Sequence, residues 1–163
     1  MRKPRRDVEL DDIISGQILS NDPEVIAIVM KIHLALEALM IEMISMFRTD
    51  DKIYNLSFPG KSELLKTQGV ISDDDKAALD RFNDFRNDFA HIFGHEVSLG
   101  NALALARDLE AKGVELSDSV GHYPEPKAEE HFDGMLGVLS EIGWCILFHA
   151  TWLLREAGGR ERA

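Results

Sequence analysis

Asp80-Arg81-Phe82-Asn83-Asp84-Phe85-Arg86-Asn87-Asp88-Phe89-Ala90-His91 is the stretch that decides the fold. Wound at about 3.6 residues per turn, it separates into two faces. Ala78, Phe82, Phe85, Phe89, Ile92 and Phe93 fall on one side, and Asp80, Asn83, Asp84, Asn87, Asp88 and His91 on the other. This is an amphipathic helix with an aromatic core face. Arg86 breaks the pattern, because it projects between Leu79 and Phe82 at the apolar edge. A guanidinium there is costly without a partner or a wet cavity. Asn87 and His91, four residues apart, share a stripe. Ala90 is too small to fill the gap between Arg86 and His91. A cation and an imidazole thus flank a notch with an amide beside it, a set of groups suited to phosphate. The structural alternative gives Arg86 a backbone carbonyl or Glu37 as partner and leaves His91 an ordinary surface residue.

The run Arg86-Asn87-Asp88-Phe89-Ala90-His91 resembles the Arg-Asn-x-x-x-His signature of HEPN-superfamily domains. The resemblance extends back through Ser57-Phe58-Pro59-Gly60-Lys61 and Gly69-Val70-Ile71-Ser72, and is closest to the mannitol-operon-repressor branch. It covers about residues 25 to 95. It implies a HEPN-like helical bundle that dimerises with two motif helices facing each other across a two-fold axis. It also implies one of two functions. The first is a metal-independent endoribonuclease of the toxin or defence kind, in which the ribose 2′-hydroxyl attacks its own phosphate. His91 would move the proton, Arg86 would stabilise phosphoryl charge, and Asn87 would orient His91 or the phosphate. The second is a non-catalytic dimeric regulator that binds another protein. RNA, an antitoxin or a regulatory protein are the partners these readings carry. A nucleotide-binding module using the same notch is a third.

Working outward, acids open the motif helix at Ser72-Asp73-Asp74-Asp75, a serine cap followed by charges that suit the positive helix end. Upstream, Asp22-Pro23-Glu24 starts a helix expected to reach residue 47, apolar nearly all round except for Glu24, Lys31 and Glu42. His33 and Glu37 on it, four apart, read as a buried pair or as contributors to the notch. A short helix is expected over 57–68, stopped by Gly69, and another over 98–112. The last helix is expected from 127 to 157. It is almost wholly apolar from Met135 to Leu154, long enough to span a membrane, but Glu141 beside Ser140 favours a core helix of a soluble protein. The architecture expected is all-α, with five or six helices and an up-and-down core. Residues 1–7 are expected to be a flexible basic arm and 8–163 a single domain, with a short helix near 8–19.

The formal net charge of −11 over 163 residues argues against nucleic-acid binding by bulk attraction, so an RNA role needs a local site. Cys145, the single cysteine, excludes an internal disulfide and lies in an apolar run, where it reads as a small core residue. No signal-peptide pattern opens the chain, and the cytoplasm is the expected compartment. The apolar excess on the helices at 23–47 and 127–157 leads to the expectation of a homodimer. His91, His95 and Glu96 invite a metal, but Gly94 breaks the helical spacing between the two histidines, so no metal or other cofactor is expected. His122 and His131 read as solvated, and His149 as a core histidine with a hydrogen-bond partner.

Overall fold

The structure, a computed structural model, describes residues 22–91 and 97–159, without the side chains of Ala90 and His91. The basic arm and the helix expected near 8–19 lie outside the described residues, as do Ile92 to Glu96. The described chain folds into α1 (Pro23–Ser45), α2 (Phe58–Thr67), α3 (Asp73–His91), α4 (Leu99–Ala111), α5 (Glu125–Phe132) and α6 (Gly134–Glu156). Two 3-10 turns, Asp51–Asn55 and Ser117–His122, lie in the connections after α1 and after α4. The fold is all-α: 80% of the described residues are helical and none is in a strand. Over these residues there are six α-helices where five were expected.

The extra helix comes from a break in the segment expected to run unbroken from 127 to 157. Asp133 adopts a left-handed conformation (φ 57°, ψ 50°) and Gly134 follows at φ 82°. The left-handed pair ends α5 and re-aims the chain into α6. The turn is tight: a Cβ at Gly137 would lie 1.5 Å from the Phe132 carbonyl oxygen, so only glycine fits there.

Capping explains most helix starts. Asp22 accepts from the Glu24 N–H at 2.8 Å, with Pro23 in the first turn of α1. Ser57 accepts from the Gly60 N–H at 3.1 Å at the head of α2. Ser72 and Asp75 cap α3 reciprocally: Asp75 N–H donates to Ser72 Oγ (3.1 Å) and Ser72 N–H to Asp75 Oδ2 (2.9 Å). Ser98 and Asn101 do the same for α4.

The core is built on α1 and α6. They pack tightly at Gly143, where a Cβ would stand 2.3 Å from Ile32 Cδ1. Val29, Ile32, Leu36, Met40 and Met43 of α1 are buried, as are Val138, Leu139, Ile142, Ile146 and Ala150 of α6. The amphipathic reading of α3 holds: Ala78, Phe82 and Phe85 are buried, and Phe85 packs edge-on against Phe89 at 5.4 Å. Polar links fix α3 among its neighbours. Ser62 donates to Asp80 at 2.6 Å, Arg81 pairs with Asp108 at 2.7 Å, and His149 meets Asp75 at 2.8 Å. His149 is thus a core histidine with a partner. The outer sides of the two long helices are not covered by the described residues. Leu34 on α1 and Trp144, Phe148 and Trp152 on α6 are exposed. α6 is also long and apolar enough to cross a membrane.

Candidate functional site

α3 carries the candidate residues in its last turns. Arg86 and Asn87 are both half-buried, and Arg86 Nη1 donates to Asn87 Oδ1 at 3.0 Å. With its oxygen so held, the Asn87 amide keeps its N–H donors free for another acceptor. His91 closes the helix, and its side chain lies outside the described residues. The structure therefore brings together Arg86 and Asn87 of the three candidates. Of the other motif-helix acids, Asp84 is exposed and Asp88 half-buried.

Arg86 is held unusually. Its Nε is fully enclosed and has no hydrogen-bond partner. Glu37, the carboxylate that sequence reasoning offered it, is taken by Lys61 at 2.7 Å. Lys61, 1% exposed, also donates to the Leu56 carbonyl at 2.5 Å, so the buried ammonium is satisfied from two segments. No carboxylate pairs with Arg86 among the described residues, although the chain has 29 acids.

Behind Arg86 sits a group that sequence reasoning placed only in part. His33 of α1 is 7% exposed, stacks on Phe58 at 4.8 Å, and shares a 3.1 Å hydrogen bond between its Nε2 and Asn83 Oδ1 of α3. Asn83 was expected on the polar side of α3, yet it is buried, because α1 packs over that part of the helix and supplies His33 as its partner. The pairing of His33 with Glu37 is replaced by this one. Burial holds His33 below its ordinary value of 6.5; the Asn83 hydrogen bond opposes this, the Arg86 charge reinforces it, Glu37 opposes it and Lys61 reinforces it. The imidazole is therefore neutral near pH 7, and its Nδ1 is enclosed without a partner. His33 is too deep to exchange protons with a bound polymer; its place is to hold Asn83 and so the register of α1 against the motif helix. Nothing in the sequence marked His33 and Asn83 as partners, since they lie 50 residues apart.

Elsewhere the sequence expectations for the histidines and cysteine are met. His122 and His131 are exposed, and Cys145 is buried with Ser117 Oγ 3.3 Å from its sulfur. No group of three His, Cys, Asp or Glu side chains converges among the described residues, and His95 and Glu96 lie outside them. No family model, no curated protein and no solved structure matches the chain.

Proposed function

We propose that the end of α3 binds a phosphodiester and that the protein is a metal-independent endoribonuclease, of the HEPN kind the motif resembles. The observation that carries this reading is Arg86. A half-buried arginine with an enclosed, unpartnered Nε and no carboxylate partner among the described residues is expensive to fold, and an anionic ligand on its guanidinium offsets that cost. In the proposed reaction the ribose 2′-hydroxyl attacks the adjacent phosphorus, and the bond to the 5′-oxygen breaks. The products are a 2′,3′-cyclic phosphate and a 5′-hydroxyl. Arg86 neutralises charge building on the phosphoryl oxygens, Asn87 donates to the same oxygens, and His91 transfers the proton. Asp84 and Asp88 act against this by repelling phosphate, so binding depends on the Arg86 contact rather than on the surrounding surface. The cytoplasm is the compartment that suits an RNA substrate.

Purified protein should cut single-stranded RNA in EDTA and leave cyclic phosphate ends. His91→Ala removes the proton-transfer group and should cost roughly two to four orders of magnitude in rate. Arg86→Ala should cost a comparable factor, and the double variant far less than the product of the two, because both act on one step. Wild-type protein inactive on every RNA tried, or both variants cutting at the wild-type rate, would overturn the reading. Unfolding of Arg86→Ala with Arg86→Met folded and inactive would keep it.

A second reading, the non-catalytic regulator that binds another protein, is favoured by a different observation: the net charge of −11, which suits a protein partner better than RNA. An acidic protein without RNA cleavage would be a protein-binding module.

A further inference from the structure

The uncovered face of α6 has a pattern. Trp144, Phe148 and Trp152 recur every four residues and are 62%, 66% and 53% exposed. Trp144 and Phe148 stack at 5.8 Å, and Trp152 stands one turn further along the same face, which makes a ridge of the three. A groove lies on each side. One, about 280 Å³, runs between α1 and α6 past Ile28, Ala35 and Trp144. The other, about 720 Å³, lies between α6 and the segment Gly113 to Ser117, past Phe148 and Trp152. At roughly 150–250 Å² per aromatic side chain, the ridge alone leaves about 350 Å² of apolar surface in water. That is near half of the ~800 Å² each partner gives to a standard stable interface. An apolar patch of this size is within the range that folded monomers show, where it is often functional.

We propose that the occupant is a second copy of this chain, with two α6 helices crossing antiparallel about a two-fold axis at Phe148. Charge decides for the second copy. The protein carries −11, so two copies repel except where the surface lacks acids. From Ile142 to Leu154 the only ionisable groups are Cys145 and His149, the first buried and the second turned inward onto Asp75; the grooves beside the ridge add one cation, Lys31, and one carboxylate, Glu115, which offset each other. The uncharged stretch ends at Glu141 on one side and Arg155 on the other, each seven residues from Phe148. Seven residues are nearly two turns, about 10.5 Å along the axis, so Glu141, Phe148 and Arg155 share a stripe. An antiparallel crossing at Phe148 sets Arg155 opposite the partner's Glu141, twice over. It also sets Trp152 opposite the partner's Trp144, so each ridge enters the other copy's grooves. Arg155 is exposed and has no ion-pair partner among the described residues. The arrangement is self-complementary, as a two-fold interface must be. It does not rest on the ribonuclease reading, and its axis is not the one the HEPN resemblance implies, which would bring two α3 helices together.

The test is the mass of the full chain by light scattering across the micromolar range. A species of twice 18.3 kDa is expected. Phe148→Glu, which places two carboxylates at the axis, should give a monomer of unchanged helical content. Both tryptophans of the chain lie on the ridge, so wild-type emission should shift to the red on dilution and that of Phe148→Glu should already be red. Glu141→Arg and Arg155→Glu should each weaken the dimer at least tenfold, and the double variant should restore it. Any of three results would overturn the proposal. These are a wild-type monomer at every concentration, including one that binds lipid vesicles or another protein through the ridge instead; a dimer indifferent to Phe148→Glu; or a double charge swap no tighter than its single parents.

Discussion

The tight contact of the two central helices at Gly143 gives a prediction whose sign reverses with context. Gly143→Ala puts a methyl 2.3 Å from Ile32 Cδ1 and 2.8 Å from Cγ1, against 4.0 Å from Cβ. Ile32 is buried, so its side chain has little room to turn away, and the two helices must part or Ile32 must leave its rotamer. Overpacking of this kind costs about 1–3 kcal/mol, against which replacing a mid-helix glycine by alanine gains about 1 kcal/mol. The net is a loss of up to ~2 kcal/mol, which lowers the melting temperature by about 4–8 °C for a chain of this length. Ile32→Ala alone should cost about 2–5 kcal/mol through lost burial and a cavity. In that background both clashing atoms are gone. The Gly143 methyl then enters the cavity and keeps its helical gain, so the same substitution should stabilise by ~1 kcal/mol or more. Urea unfolding followed by circular dichroism, on wild type, the two single variants and the double, completes the cycle. Additive effects would refute the contact between Gly143 and Ile32 as the point that sets the α1–α6 spacing.

Three further expectations concern other parts of the fold. Gly137→Ala meets a backbone carbonyl at 1.5 Å instead of a movable side chain, so it should cost more than Gly143→Ala, above about 3 kcal/mol, with no rescuing partner; thermal melts of the two variants decide this. Glu37→Gln leaves Lys61 buried with its charge uncompensated and should cost about 3–5 kcal/mol, whereas Lys61→Met with Glu37→Leu should cost much less; urea midpoints report both. His33 is held below 6.5 in the folded protein, so the unfolded chain takes up more protons as pH falls through 6.5. Its stabilising share is therefore complete above pH 6.5 and declines below it towards the folded value, and in His33→Gln the slope of stability against pH should flatten over that interval.

The sequence made the helices readable where local chemistry sets them. Ser72 with three following acids, Asp22-Pro23 and Ser57-Phe58-Pro59 each place a cap whose geometry depends on a few neighbouring residues. The break at Asp133 was also local, since an Asp-Gly pair signals a turn. The apolar periodicity on either side concealed it. The apolar excess of the last helix was legible, but not that Trp144, Phe148 and Trp152 are its exposed members: periodicity reports which side chains avoid water, not whether this chain or another covers them. At the candidate site the motif helix and the edge position of Arg86 could be read from Phe82, Phe85 and Phe89. The partners behind it could not. Whether Glu37 meets Arg86, His33 or Lys61 depends on the axial register of α1 against α2 and α3, and sequence spacing within one helix carries no information about that offset.

The buried Lys61 also bears on the order in which the molecule assembles. Its ammonium is satisfied only when α1 supplies Glu37 and the connection before α2 supplies the Leu56 carbonyl. Before all three segments are in place, water solvates that charge better than protein does. Docking of α2 onto α1 is therefore expected after the rate-limiting barrier, while the contacts of α1 with α6 precede it. Truncating Lys61 or Glu37 should then leave the refolding rate nearly unchanged and accelerate unfolding, with φ near zero, whereas trimming Ile32 should slow refolding. Resistance to slow unfolding would reside in this ion pair rather than in the larger hydrophobic contact beside it.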